Sequence, residues 1–115
     1  MATRPAINSP TNGPKAFVVV WSNLALGDDG APVQFAQFAD RTVQFTGTFG
    51  VGGTARFEGS NNGTDWAPLT DPLGNAIDAT SARIKLAVES PAFVRPRITG
   101  GDGTTSITVS VLLKE

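Results

Sequence analysis

The chain has no cysteine, no histidine and no tyrosine among its 115 residues. Without cysteine it can form neither a disulfide nor a reactive thiolate, so the sequence carries no signal of a redox compartment. Without histidine it lacks the most frequent general base, and the residue pairs that usually activate a nucleophile are missing. The sequence therefore predicts a protein that assembles or binds rather than an enzyme.

The chain also lacks a dominant charge and a long apolar run. Its nine basic and ten acidic residues are spread along the sequence, so there is no basic stripe of the kind that binds a nucleic acid. The longest apolar run, Ala16–Trp21, is far shorter than the roughly 20 residues that cross a membrane. We expect neither a nucleic-acid nor a membrane partner, and a protein made in the cytoplasm.

Few residues remain that could carry chemistry or hold a cofactor. Gly50–Ala55 fits a loose GxGxxA pattern, but a strand rather than a helix is predicted after it, so a dinucleotide is not expected. The lysines lie outside any Ser–Lys motif, and we expect solvated side chains for Lys15, Lys85 and Lys114. Most aspartates fall in turns, where they accept backbone hydrogen bonds. A less favoured alternative is a calcium site, with the candidates Asp28, Asp29, Asp71 and Asp102. We expect no cofactor.

What the sequence does contain is a series of short alternating segments between turns rich in Gly, Asn and Asp. Arg41–Phe49 and Thr104–Leu113 alternate most clearly between apolar and polar residues. With 40 % apolar and 17 % charged residues, the composition is that of a globular domain. Roughly seven or eight short strands, spaced about 8 to 12 residues apart, predict an all-β fold. The predicted architecture is an antiparallel β-sandwich of jelly-roll or Greek-key type.

Several local features refine this prediction. The other strands are predicted at Ala16–Ser22, Val33–Phe38, Thr54–Gly59 and Phe93–Thr99. Residues 76–90 fit a helix or a strand, and the alternation around Ile84 favours the strand. Asn62-Gly63 predicts a type I′ hairpin turn. Pro96 cannot donate a backbone hydrogen bond, which predicts a sheet edge or a bulge.

The first 15 residues differ from the rest, because they contain three prolines and little that could enter a core. We predict an extended N-terminal arm at residues 1–15 and a single sandwich domain at residues 16–115. Two alternatives remain for the arm. It packs on its own domain, or it lies across a neighbouring subunit.

Arg95 and Arg97 lie two residues apart, so they share one face of a strand. Two guanidinium groups on one face could bind a carboxylate or phosphate of a partner. They could equally pair with Asp102 or Glu89 of the same chain. The residues predicted to contact a partner are Arg4, Pro5, Ile7, Pro10, Pro14, Arg95 and Arg97.

The two tryptophans have different contexts. Trp21 lies in an apolar strand and is predicted to be buried in the core. Trp66 follows a turn, so it is either a core or rim residue or a platform on which a sugar ring stacks.

Four segments resemble small structural proteins of tailed phages. Phe57–Trp66 is similar to a segment that has the form EGSNDGTNW in those proteins, and the likeness continues through Leu69–Ala76. Ala39–Phe49 and Phe93–Thr105 are also alike, so the resemblance covers about residues 35–113. These proteins resemble head decoration, or cement, proteins.

The resemblance implies a β-sandwich that binds the outside of an assembled phage head and stabilises it. Its implied partners are the major capsid protein and further copies of the chain, as a dimer or trimer, and its implied location is the capsid surface. Asn62 and Asp65 stand where the family segment has Asp and Asn, and both exchanges suit the same turn. The family offers no catalytic residue. The alternatives are another virion part, such as a head–tail or tail-surface protein, or a carbohydrate-binding module.

Overall fold

In the computed structural model, the described residues are 3–11, 13–34 and 38–114. Every regular element among them is a β-strand, and none of them forms a helix that could cross a membrane. The strands are β1 Thr3–Arg4, β2 Ile7–Thr11, β3 Gly13–Leu24, β4 Asp29–Gly30, β5 Asp40–Thr48, β6 Thr54–Ser60, β7 Ala67–Pro68, β8 Asp78–Ala79, β9 Arg83–Ala87, β10 Phe93–Gly100 and β11 Ser106–Lys114.

These strands form two sheets. Sheet A has six strands in the order β1-β4-β10-β6-β7, with β8 also paired to β6, and sheet B has five in the order β2-β3-β11-β5-β9. Among the described strands only the β1–β4 pair is parallel. The chain is therefore an all-β, largely antiparallel sandwich, as the alternating segments predicted.

The core lies between the inner faces of the two sheets. Strand β11 is in the middle of sheet B, and its alternate residues Ile107, Val109, Val111 and Leu113 are fully buried. This confirms the inward positions predicted from alternation in this strand. Trp21 is also fully buried, and its indole Nε1 donates a hydrogen bond to the carbonyl oxygen of Ala31 at 3.0 Å. The predicted core position of Trp21 is thus confirmed.

The described part of the predicted arm is paired to both sheets. Strand β1 lies beside β4 in sheet A, and β2 lies beside β3 in sheet B. Strand β3 begins at Gly13 rather than at Ala16, so the backbone of the arm continues into the sandwich. Residues 3–11 therefore pack on their own chain here, which is the first of the two arrangements considered for the arm.

Two predicted elements before β5, one strand and one turn, differ from the structure. The segment Val33–Phe38 is not a strand in its described residues: Val33 makes a single bridge to Val94, Phe38 is buried outside any strand, and Phe35 lies outside the described residues. The sequence Gly27-Asp28-Asp29-Gly30 is typical of a turn, but the turn in the structure is formed by Leu26-Gly27. Asp29-Gly30 instead pairs with two strands, which explains why it is extended.

The type I′ turn predicted at Asn62-Gly63 is wrong. Gly63 has a positive φ of 76°, but Asn62 does not share this left-handed conformation, which a type I′ turn requires at both residues. Instead, the Asn62 side-chain oxygen accepts hydrogen bonds from the backbone N–H groups of Thr64 and Asp65, at 2.8 Å each. The asparagine thus stabilises a longer loop between β6 and β7 through its side chain.

The prediction that Pro96 marks an edge or a bulge is also wrong. Strand β10 lies between β4 and β6, and its irregularity falls between Ile98 and Gly100. The ring of Pro96 packs towards Gly30, where an added Cβ would lie 2.6 Å from its Cδ. Since β4 consists only of Asp29–Gly30, a residue without an N–H group fits this interior position.

Residues 83–87 form strand β9, so the choice of strand over helix is confirmed. Its large side chains, however, point outward. Ile84 is 60 % exposed and Leu86 is 46 % exposed, while Ala87 is buried. The inward positions near this edge are occupied by Ala87 and by Lys85, whose ammonium group lies 2.7 Å from the buried carboxylate of Asp71. Lys85 is therefore paired rather than solvated as predicted.

Asp102 joins the two turns at one end of the sandwich. Its carboxylate accepts hydrogen bonds from the hydroxyl and N–H of Thr104, at 2.6 and 2.9 Å, and from the N–H of Val51 at 2.9 Å. The Thr104 hydroxyl and then the Val51 amide lower the pKa of Asp102 from its ordinary value of 3.8 to about 2. The prediction that turn aspartates accept backbone hydrogen bonds is confirmed at this residue.

This lowered pKa has a consequence for stability in acid. The contribution of Asp102 is fully present above about pH 4 and is lost as the pH falls towards about 2, because the folded state resists protonation. We expect the free energy of unfolding of the Asp102→Asn variant to fall less steeply than that of the wild type over this range, as measured by urea unfolding. Asp40→Asn, at an exposed acid, serves as the control. Parallel pH profiles for wild type and Asp102→Asn would contradict the assignment.

Candidate functional site

The residues predicted to contact a partner do not form one surface. Sheet A contains Arg4, Arg95 and Arg97, and the strands of sheet B contain Ile7, Pro10 and Pro14. Pro5 is exposed between β1 and β2. The side chains of Pro10 and Pro14 lie outside the described residues, and their backbones belong to β2 and β3. Arg95 and Arg97 share a face, as their spacing predicted.

That face is the outer face of sheet A, and strand register determines what lies on it. Alternate residues Val94, Pro96 and Ile98 of β10 are buried, so Arg95 and Arg97 point away from the core. Pairing with β6 places Glu58 opposite Arg95 and Arg56 opposite Arg97.

Arg95 is held by its own chain. Its Nε lies 2.7 Å from a carboxylate oxygen of Glu58, and its Nη1 lies 3.4 Å from a carboxylate oxygen of Asp29. The guanidinium carbon also lies 4.1 Å from the centre of the Trp66 ring, within the range of a cation–π contact. We call Arg95, Glu58, Asp29 and Trp66 the Arg95 cluster.

Arg95 therefore pairs within its own chain, which was one of the two alternatives for it. Its partners are Glu58 and Asp29, however, and not the predicted Asp102 or Glu89. Asp102 holds the turns, and both Glu89 carboxylate oxygens accept hydrogen bonds from Thr70, one of them short. Both acids of the cluster are buried: Glu58 is 3 % exposed and Asp29 is 8 % exposed. Asp29 also accepts a hydrogen bond from the Thr3 hydroxyl at 2.7 Å, so the cluster fixes β1 as well.

Arg97 differs from Arg95, because its guanidinium has no hydrogen bond or ion pair with any described residue. Its neighbour across the strand, Arg56, is paired with Asp78 at 2.9 and 3.4 Å. The hydrogen bond to Asp78 raises the pKa of Arg56. Arg97 is therefore an exposed positive charge whose five donors are available on a face fixed by neighbouring ion pairs.

Arg4 is less free than Arg97. Its Nε lies 3.0 Å from a carboxylate oxygen of Asp28. The same oxygen accepts a hydrogen bond from the N–H of Ala25. Arg4 therefore attaches the N-terminal strand to the turn before β4.

Trp66 is a rim residue rather than a core residue, which agrees with the first of the two alternatives for it. It is half-buried, and Arg95 lies over its ring. A sugar-binding tryptophan presents an uncovered ring face to its ligand. This geometry therefore assigns Trp66 to the Arg95 cluster and does not support the stacking alternative.

The acids considered for calcium are dispersed. Asp28 and Asp29 bind Arg4 and Arg95, Asp71 binds Lys85, and Asp102 joins two turns. In the described part of the chain, no group of three His, Cys, Asp or Glu side chains is placed to hold a metal ion.

Sequence reasoning found Arg95 and Arg97 but missed Asp29, Glu58 and Trp66 as their surroundings. These residues come from β4, β6 and the loop before β7, and they lie 66, 37 and 29 positions before Arg95 in the chain. The local sequence contains no sign of this pairing, since it depends on the register between β6 and β10. Alternation alone indicated only that Glu58 and Phe57 lie on opposite faces of their strand.

Comparison with known proteins shows the fold. No family model matches the chain, and no curated protein is similar to it in sequence. In structure it is similar to the SPBc2 prophage-derived protein YomS, with a TM-score of 0.65 and 10 % identity over 92 % of this chain and 100 % of that one. It is also similar to an RmlC-like cupin protein from Desulfovibrio desulfuricans, with a TM-score of 0.52 and 11 % identity over 96 % of this chain and 82 % of that one.

A weaker likeness is found to Peruvianin-I, a cysteine peptidase from Thevetia peruviana latex. Its TM-score is 0.50 with 14 % identity, and the match covers 88 % of this chain and 51 % of that one. The chain thus has the fold of an all-β sandwich, and its structural neighbours include a cupin protein. At these sequence identities the likenesses define the fold alone, so the function has to be inferred from the surfaces of the protein.

The two arginines provide a direct test of the site. Removing Arg95 leaves two buried carboxylates without their cation, and breaking a buried ion pair in this way is strongly destabilising. We expect Arg95→Ala to lower the free energy of unfolding by about 3 kcal/mol, and Arg97→Ala to change it by less than about 0.5 kcal/mol. Urea unfolding at pH 7 measures both. Equal effects of the two substitutions would show that Arg95 is not the structural residue of this face.

Proposed function

We propose that the chain is a structural protein of a bacteriophage particle, and specifically a decoration protein that binds the outside of the assembled head and stabilises it. The observation that carries this proposal is the likeness to a prophage-derived protein along that protein's entire length. The sequence resemblance of about residues 35–113 to phage decoration proteins supports the same conclusion. In this proposal the protein is made in the host cytoplasm and ends on the capsid surface.

The outer face of sheet A has the properties that such a role requires. Its ion pairs fix the side chains before binding, so less conformational entropy is lost when a partner is engaged. Arg97 remains available at its centre for a carboxylate on the major capsid protein. We propose that this face contacts the shell and that Arg97 provides its principal polar contact.

Binding to an assembled shell would stabilise it by mass action. A ligand that binds only the assembled form lowers its free energy relative to separated subunits. On a symmetric shell, one contact is repeated at every equivalent position. The proposal therefore needs only a modest contact for each copy, and it assigns no catalytic step to the protein.

Co-sedimentation with expanded, undecorated heads of the encoding phage tests this role. We expect saturable binding at a fixed ratio to the capsid protein, and that ratio identifies the symmetry axis occupied. Binding to isolated tails instead of heads would assign the protein to the tail or the head–tail joint. The absence of binding to either particle would contradict a structural role in the virion.

A charge reversal tests the proposed contact face in the same assay. We expect Arg97→Glu to weaken head binding by about tenfold or more, because it places a like charge against an acidic partner. Arg83→Glu is the matched control, since Arg83 is an exposed arginine in β9 of sheet B. Head binding that is equally strong for both variants would show that another face contacts the shell.

A further inference from the structure

The outer face of sheet B is unusual because it exposes large apolar side chains beside small polar ones. Strand register arranges them in two central rows. One row contains Leu86, Thr42, Leu112 and Val18. The other contains Ile84, Gln44, Ser110, Val20 and Ile7.

These rows carry no charged side chain among the described residues. At their two ends, Ile84 is 60 % exposed and Ile7 is 63 % exposed. A hollow of about 230 Å³ lies on the face, bounded by Val18, Thr42, Gln44, Ile84, Ser110 and Leu112. An exposed apolar surface of this kind marks a contact with another macromolecule.

From this face we infer that the protein forms a two-fold dimer through the outer faces of sheet B. The inference goes beyond the proposed function and rests on sheet B alone. If an ordinary protein surface packed on this uncharged face, the charges of that surface would have no partners. A second uncharged face has no charges to leave unpaired, so it fits. A second copy of the chain presents such a face by definition.

The charges at the border of the face also favour a second copy. Next to the two central rows, Asp40 and Lys114 are exposed and directly opposite each other in the register of β5 and β11. In a two-fold interface, each contact occurs twice with the roles of the two copies exchanged. Lys114 of one copy can therefore meet Asp40 of the other, and the reverse contact forms at the same time.

The area is sufficient for a dimer. Five strands about 4.8 Å apart, with a mean length of eight residues and a rise of about 3.4 Å per residue, give roughly 650 Å² for the whole outer face of sheet B. Two copies would then bury roughly 1,300 Å², which is near the lower limit of stable specific interfaces. The whole outer face is thus large enough for a dimer.

Sedimentation velocity of the purified protein, in the absence of any phage particle, tests the dimer. We expect a mass that rises with concentration from one chain to two. Ile84→Glu should raise the dimer dissociation constant by about tenfold or more, because it places an unpaired charge in the interface. Val51→Glu is the matched control, since Val51 is 82 % exposed in the turn between β5 and β6, outside both central rows, and it should leave the dissociation constant unchanged.

Charge exchange tests the orientation of the two copies. Asp40→Lys and Lys114→Asp should each weaken the dimer, and the double variant should restore it. A monomer at all concentrations, or an oligomer that Ile84→Glu leaves intact, would overturn the inference. Loss of head binding by Ile84→Glu in a monomeric protein would assign the face to the shell and would also overturn it. Because the first assay contains no heads, a failed dimer and a failed decoration role give separate results.

Discussion

Two carboxylates are buried on the outer face of sheet A, and the fold must place a cation beside them. Asp29 and Glu58 come from β4 and β6, and the Arg95 guanidinium of β10 contacts both of them. Strands from three parts of the chain must therefore meet in one register, or charge is buried without compensation. Through the Thr3 hydroxyl, Asp29 extends this condition to the N-terminal strand. The charged face around Arg97 exists because this condition is met.

The two outer faces of the sandwich have opposite chemistry. Sheet A presents ion pairs and an available guanidinium, whereas the central rows of sheet B present aliphatic, hydroxyl and amide groups. A protein with such faces can contact an acidic surface with one and its own kind with the other. This division suits a component of a symmetric assembly, in which each copy needs a contact to the scaffold and a contact to a neighbour.

The parts of the fold that depend on local pattern could be predicted from the sequence. Strands β5, β6 and β11 alternate within nine or fewer residues, and the core positions of β11 follow directly from that period. Features that depend on a distant partner could not be predicted. Lys85 takes an inward position in β9, where it pairs with the distant Asp71. Pro96 fits inside sheet A because Gly30 approaches its ring closely. Arg95 and Arg97 look equivalent in sequence, and only the β6–β10 register separates the buried ion pair from the exposed charge.

The position of β11 affects the order in which the chain can fold during synthesis. This strand separates β3 from β5 in sheet B, although it is made long after both. Until residues 106–114 leave the ribosome, β3 and β5 lack the central strand that joins them, although β3 can pair with β2 and β5 with β9. Folding that needs pairing between strands far apart in sequence is slow, and its intermediates expose apolar surface that is prone to aggregation. A nascent chain of this protein therefore cannot complete sheet B until β11 has been made.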